Sequence, residues 1–190
     1  MPCPEAAQER RLVADAKAGD AVALERLYEQ YRACIYDFAF TLTGNHEDAE
    51  DARQMTFVRA FLGLSRFRGD SALRTWLLRI CLNVVRSSRR RSSKNPPCAP
   101  EHPLDLARGG ERVEPPLDPA GEAQRRLEAE EIRRRIASLP RWAAALVALC
   151  DLQGLSYREA AQVLGCSATS VGPRLHRARK MLKKRLVDLV

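Results

Sequence analysis

Arg174, Arg177, Arg179, Lys180, Lys183, Lys184 and Arg185 crowd one stretch near the end of the chain, and no acidic residue stands between Ala160 and Val187. Guanidinium and ammonium groups at this density, without carboxylates to neutralise them, are suited to phosphates and to base edges. What positions them is legible around them. Val171, Leu175, Ala178, Leu182 and Leu186 recur at three- and four-residue steps, which predicts a helix with one buried face and a basic remainder. Before it, Ser156 can cap a short helix whose apolar side is Ala160, Ala161, Val163 and Leu164, and Gly165 supplies a left-handed exit. Two short helices joined by a tight turn form a helix-turn-helix. The competing reading is a solvated basic helix on an ordinary helical hairpin.

A second acid-free stretch runs from Ser71 to Pro100. Leu73, Trp76, Leu77, Ile80, Cys81 and Val84 keep helical spacing there, with Arg74, Arg79, Arg86, Arg89, Arg90 and Arg91 on the other face and the end. Ahead of it lies the loop with Phe67, Arg68 and Gly69, an aromatic between basic residues beside a flexible glycine. Two basic helices suggest two contacts on one long nucleic acid. Trp76 sits on the apolar stripe, which reads first as core.

The opposite charge is concentrated in Glu47, Asp48, Glu50 and Asp51, at the start of a helix that buries Ala49, Ala52, Phe57, Phe61 and Leu64. A helix dipole favours acids in a first turn, but four exceed that need, so a basic protein partner is the alternative to a solvated turn. Upstream, Leu12, Val13 and Ala16 begin one helix and Val22 to Leu42 form another, separated at Ala18-Gly19-Asp20.

The whole chain of 190 residues carries a net charge of +8, unevenly spread. Residues 1–93 hold 15 basic and 12 acidic groups, residues 94–125 hold 4 and 6, and residues 126–190 hold 13 and 6. A polyanion is the partner this distribution implies. The expected fold class is all-α: two small helical domains at 8–93 and 125–190, joined by a linker at 94–124, whose stretch from Lys94 to Gly121 contains seven of the eleven prolines. In the second domain a charged helix from Glu122 and another from Arg141 to Cys150 precede the helix-turn-helix.

Several classes are disfavoured. No P-loop, dinucleotide glycine pattern or HExxH occurs, and His46, His102 and His176 lie far apart, so no enzyme, cofactor or small-molecule substrate is expected. Cys3, Cys34, Cys81, Cys98, Cys150 and Cys166 form no CxxC pair, and Cys98 with His102 is too few ligands for a metal site. The longest uncharged apolar run, Trp142 to Cys150, is too short for a membrane span, and Pro and Glu interrupt the N-terminus where a signal peptide needs an apolar core. A cytoplasmic chain is the expectation.

Three motifs, AEDARQMTFVRAF, RFRGDSALRTWLLRICLNVVRSSRRR and SLP…LQGLSYREAAQVLGCS…RLHRARKML, resemble the bacterial RNA polymerase sigma factors of the extracytoplasmic-function class. The resemblance covers nearly everything but the linker. It implies a domain two that binds the polymerase clamp helices near Asp48, Asp51, Gln54 and Phe57, with DNA opening near Phe67, Arg68, Gly69 and Trp76, and minus-ten contacts from Asn83, Arg86, Arg89 and Arg90. It implies a domain four that binds the polymerase flap and lays Thr169, Ser170, Arg174, Arg177, Arg179 and Lys180 on the minus-thirty-five element. Core RNA polymerase, promoter DNA and an anti-sigma factor are the implied partners. A stand-alone helix-turn-helix regulator is the rival, but it leaves the acidic element unexplained. Gly172 and Pro173 depart from the family pattern, and a proline there predicts a late-starting or kinked recognition helix, capped by Ser170 in place of Ser167, with base contacts moved toward Arg174 and Arg177.

Overall fold

The computed structural model describes residues 4–92 and 119–187, and Cys98, His102 and the proline-rich stretch between these segments lie outside them. Eight α-helices and no strand occur among the described residues: α1 Pro4–Lys17, α2 Ala21–Thr43, α3 His46–Gly63, α4 Leu73–Ser92, α5 Pro119–Ala137, α6 Arg141–Val147, α7 Tyr157–Leu164 and α8 Ala168–Val187. Two boundaries differ from the sequence reading. Helix α1 starts at Pro4, before residue 8, and α5 starts at Pro119, inside the segment read as linker. Proline lacks an amide that a first helical turn leaves unpaired anyway, so both prolines fit helix starts.

Helix junctions follow local chemistry. Asp20 caps α2 by accepting from the Val22 amide at 2.8 Å, and Gly44 closes it at φ 82°, a left-handed conformation that a side chain resists. Asn45 then caps α3 through the Asp48 amide at 2.8 Å. These devices turn α3 back along α2. Between them lie Ile35, Phe38 and Phe57, all at or below 1% exposure, with the Tyr28 ring edge-on to Phe57 at 4.8 Å.

Helix α4 is buried on two faces. Leu73, Leu77, Cys81 and Val84 pack toward α2 and α3, whereas Thr75, Leu78, Leu82 and Val85 lie on the other side and are also buried. The second face is covered by the C-terminal half. Leu82 and Val85 share an interdomain cavity of about 280 Å³ with Leu42, Leu139, Trp142 and Ala144. The halves are further joined by Arg133 to Asp37 at 3.2 Å, by Glu130 beside His46 at 3.6 Å, and by Gln153, which accepts from both Cys34 and Arg74. Burial raises the Asp37 carboxyl above its ordinary value and Arg133 offsets this only in part, so this partly exposed pair adds little net stability. The apolar face of α4 is the larger contribution to holding the halves together.

Candidate nucleic-acid interface

The helix-turn-helix forms where the sequence places it. Ser156 and Glu159 make a full capping box: the Glu159 amide donates to Ser156 Oγ at 3.3 Å, and the Ser156 amide donates to Glu159 Oε2 at 2.9 Å. The Ser156 hydroxyl, which donates to Glu159 Oε2 at 2.6 Å, and then the Ser156 amide hold the Glu159 carboxyl below its usual range. Gly165, at φ 69°, ends α7 with its amide on the Ala161 carbonyl at 2.9 Å. Only Gly165, Cys166 and Ser167 separate α7 from α8. Ala160, Ala161 and Val163 meet Val171, Leu175 and Ala178 in a shared core, and none of the six exceeds 5% exposure.

Helix α8 begins at Ala168, so the predicted late start is corrected: Pro173 lies inside the helix. The start is held by Ser167, whose carbonyl accepts from the Ser170 amide at 3.1 Å and from Ser170 Oγ at 2.8 Å, and by Thr169 Oγ1 donating to Ser167 Oγ at 3.3 Å. Ser170 therefore reinforces the first turn and does not cap it. Thr169, Pro173, His176, Arg177 and Lys180 are exposed on the side away from the core. Arg174 is exposed on a flank. Arg179 is exposed, and its guanidinium pairs with Asp151 through both Nε and a terminal nitrogen, a partner that phosphate would have to displace.

The burial of α4 on two sides leaves a single exposed strip for Arg79, Asn83 and Arg86. Arg89 and Arg90 continue the same helix toward Ser92. Arg74 does not belong to this strip: it donates to Gln153 at 2.6 Å across the halves. In the loop before α4, Phe67 packs against Trp76 with ring centroids 5.0 Å apart, and Lys17 holds the Phe67 carbonyl. Trp76 is half-buried on the apolar stripe and supports Phe67 from beneath. Arg68 and Gly69 form the exposed tip, where Gly69 at φ 80° has open space around it.

On α3, Asp48, Asp51 and Gln54 are exposed, but Phe57 is 1% exposed and packs against Tyr28 and Phe61. Phe57 thus corrects the sequence-based set: its ring anchors the helix from the core side. The outward face is continued instead by Met55, 39% exposed, and Leu62, 80% exposed. Sequence reading missed both, although they stand four and eleven residues after Asp51, on the same side of the helix. The result is a carboxylate-then-apolar strip along one helix.

The residues 27–95 match the family model described as Sigma-70 region 2, and residues 129–182 match that described as Sigma-70, region 4. The chain is 33% identical over 165 residues to the RNA polymerase sigma factor YlaC of Bacillus subtilis (strain 168), covering 86% of this chain and 92% of the relative. It is 28% identical over 186 residues to the ECF RNA polymerase sigma-E factor of Escherichia coli (strain K12), covering 94% of both. Among solved structures it resembles CnrH in complex with the cytosolic domain of CnrY, at 28% identity and a TM-score of 0.69, over 95% of this chain and 97% of that one.

Proposed function

We propose, since this chain belongs to the extracytoplasmic-function class of bacterial RNA polymerase sigma factors, that α3 docks on core polymerase while α4 and α8 engage the minus-ten and minus-thirty-five elements of a promoter. The observation that carries this division of labour is the face of α3. Asp48 and Asp51 stand at its head and Leu62 projects into solvent farther along, which is the mixed charge and apolar surface of a protein contact. Helices α4 and α8 have no such apolar exposure. Apart from Pro173 on α8, the outward residues named above on both helices are basic or polar, as phosphates and base edges require.

Melting is assigned to the tip formed by Arg68 and Gly69, backed by Phe67 on Trp76. Unstacking a base costs a few kcal/mol, and a basic loop over an aromatic pair offsets part of that cost by receiving the displaced base. The C-terminal half also contacts the polymerase flap in this reading. Regulation by an anti-sigma factor is supported by the likeness to CnrH, solved with the cytosolic domain of CnrY. A cytoplasmic location follows from a polymerase partner, and no helix among the described residues is long and apolar enough to cross a membrane.

The test is run-off transcription by the full chain with bacterial core polymerase on a promoter library. Transcripts that require both the chain and defined minus-ten and minus-thirty-five sequences are expected. A chain that binds one DNA site tightly without polymerase and never redirects it would return the reading to a stand-alone regulator.

A further inference from the structure

Pro173 is the one apolar side chain in the middle of the outward stripe of α8. At about 100° per residue, Val171, Leu175 and Ala178 fix the inward direction, and Thr169, Pro173, His176 and Lys180 fall opposite to it. The polar hydroxyls nearest Pro173 are already engaged, since Thr169 and Ser170 both turn back to Ser167. Six residues on, Arg179 is paired with Asp151. The ring of Tyr157 lies beside the bare backbone of Gly172, 3.5 Å from where a side chain would begin, and widens the apolar surface next to Pro173.

A pyrrolidine ring carries neither charge nor donor, so it gains nothing from a phosphate. The major groove offers it one apolar group, the C5-methyl of thymine. Resting on the assignment of α8 to the minus-thirty-five element, we infer that Pro173 is a specificity residue that reads a thymine methyl, with His176 hydrogen-bonding an adjacent base edge. Arg177 and Lys180, which follow His176 along the helix, are left to hold phosphates and fix the register.

The experiment uses the full chain with core polymerase. A minus-thirty-five element is selected from a randomised pool, and each thymine on either strand is then replaced by deoxyuridine, which removes only the methyl. One position is expected to lose about fourfold in run-off yield, the worth of one buried methyl group. Pro173→Ser should abolish that sensitivity, and Pro173→Val, apolar without the ring, should retain it. His176→Ala should relax preference at a neighbouring position while minus-ten preference stays fixed. A selected element without thymine, deoxyuridine that is silent everywhere, or an unchanged profile in Pro173→Ser overturns the inference while promoter-directed transcription stands. No promoter-directed transcript from the unaltered chain overturns the assignment beneath it as well.

Discussion

Arg74, in the first turn of α4, donates to Gln153 Oε1 at 2.6 Å, and the Cys34 thiol donates to the same oxygen at 3.0 Å. The Arg74 Nε reaches the sulfur at 3.3 Å, so three residues from α2, α4 and the turn after α6 close on one another. A hydrogen bond to a charged group contributes about 1.5–3 kcal/mol, less where solvent reaches it. Gln153→Ala removes the shared acceptor and should let the halves separate more often. The radius of gyration from small-angle scattering is expected to rise in this variant, and an unchanged value would show that the apolar face of α4 suffices.

That face marks the limit of what the sequence disclosed. The stripe from Leu73 to Val84 was legible because its partners, α2 and α3, are near in the chain and its spacing is regular. The stripe formed by Thr75, Leu78, Leu82 and Val85 was not, since Arg79 and Arg86 interleave with it and its cover arrives from beyond residue 119. The helix-turn-helix was legible to the residue at Ser156 and Gly165, where capping chemistry is local. The burial of Phe57 was legible from helical spacing, and only the motif set it at a polymerase contact; the pairing of Arg179 with Asp151 was not legible, because its partner lies 28 residues away on another element. The start of α8 went the other way. The late start argued from Pro173 was overridden, and the Val171, Leu175 and Ala178 core accompanies a helix that begins at Ala168.

Asp51 sits on the outward face of α3, in line with Met55 and Leu62. Asp48, by contrast, shares its carboxylate with Asn45 at 2.7 Å and is partly engaged in the cap. Asp51→Arg should therefore weaken association with core polymerase about tenfold or more, by setting like charge against a basic surface. Far-UV circular dichroism should remain that of the parent. Equal affinity of the two proteins for core polymerase in a fluorescence titration would remove α3 from the interface.

Gly44 joins the two halves as well as two helices. Its φ of 82° is unfavourable for any side chain, and a Cβ there would approach the Ala137 Cβ to 3.1 Å. Left-handed backbone alone costs about 1–2 kcal/mol for a residue with a Cβ. Gly44→Ala should lower the melting temperature by roughly 4 °C, from the scaling for chains of this size. A melting temperature equal to the parent's would mean that the α2–α3 corner adjusts freely.

The capping box of α7 should make the helix-turn-helix acid-sensitive in a defined direction. Glu159 is held below the ordinary glutamate value of 4.5 by hydrogen bonds from Ser156, first the side chain and then the backbone amide. A depressed carboxylate contributes stability that is fully present above its unfolded-state pKa and is lost as pH falls through the folded-state value. The window therefore opens near 4.5 and extends downward. Ser156→Ala deletes the hydroxyl that accepts the Glu159 amide and donates to Glu159 Oε2 at 2.6 Å, and a lost N-cap costs about 1 kcal/mol. Urea midpoints of parent and variant should thus differ most near neutral pH and converge in acid, where protonated Glu159 no longer completes the box. Parallel midpoints across that range would show that the cap acts through Ser156 alone and that Glu159 is a bystander.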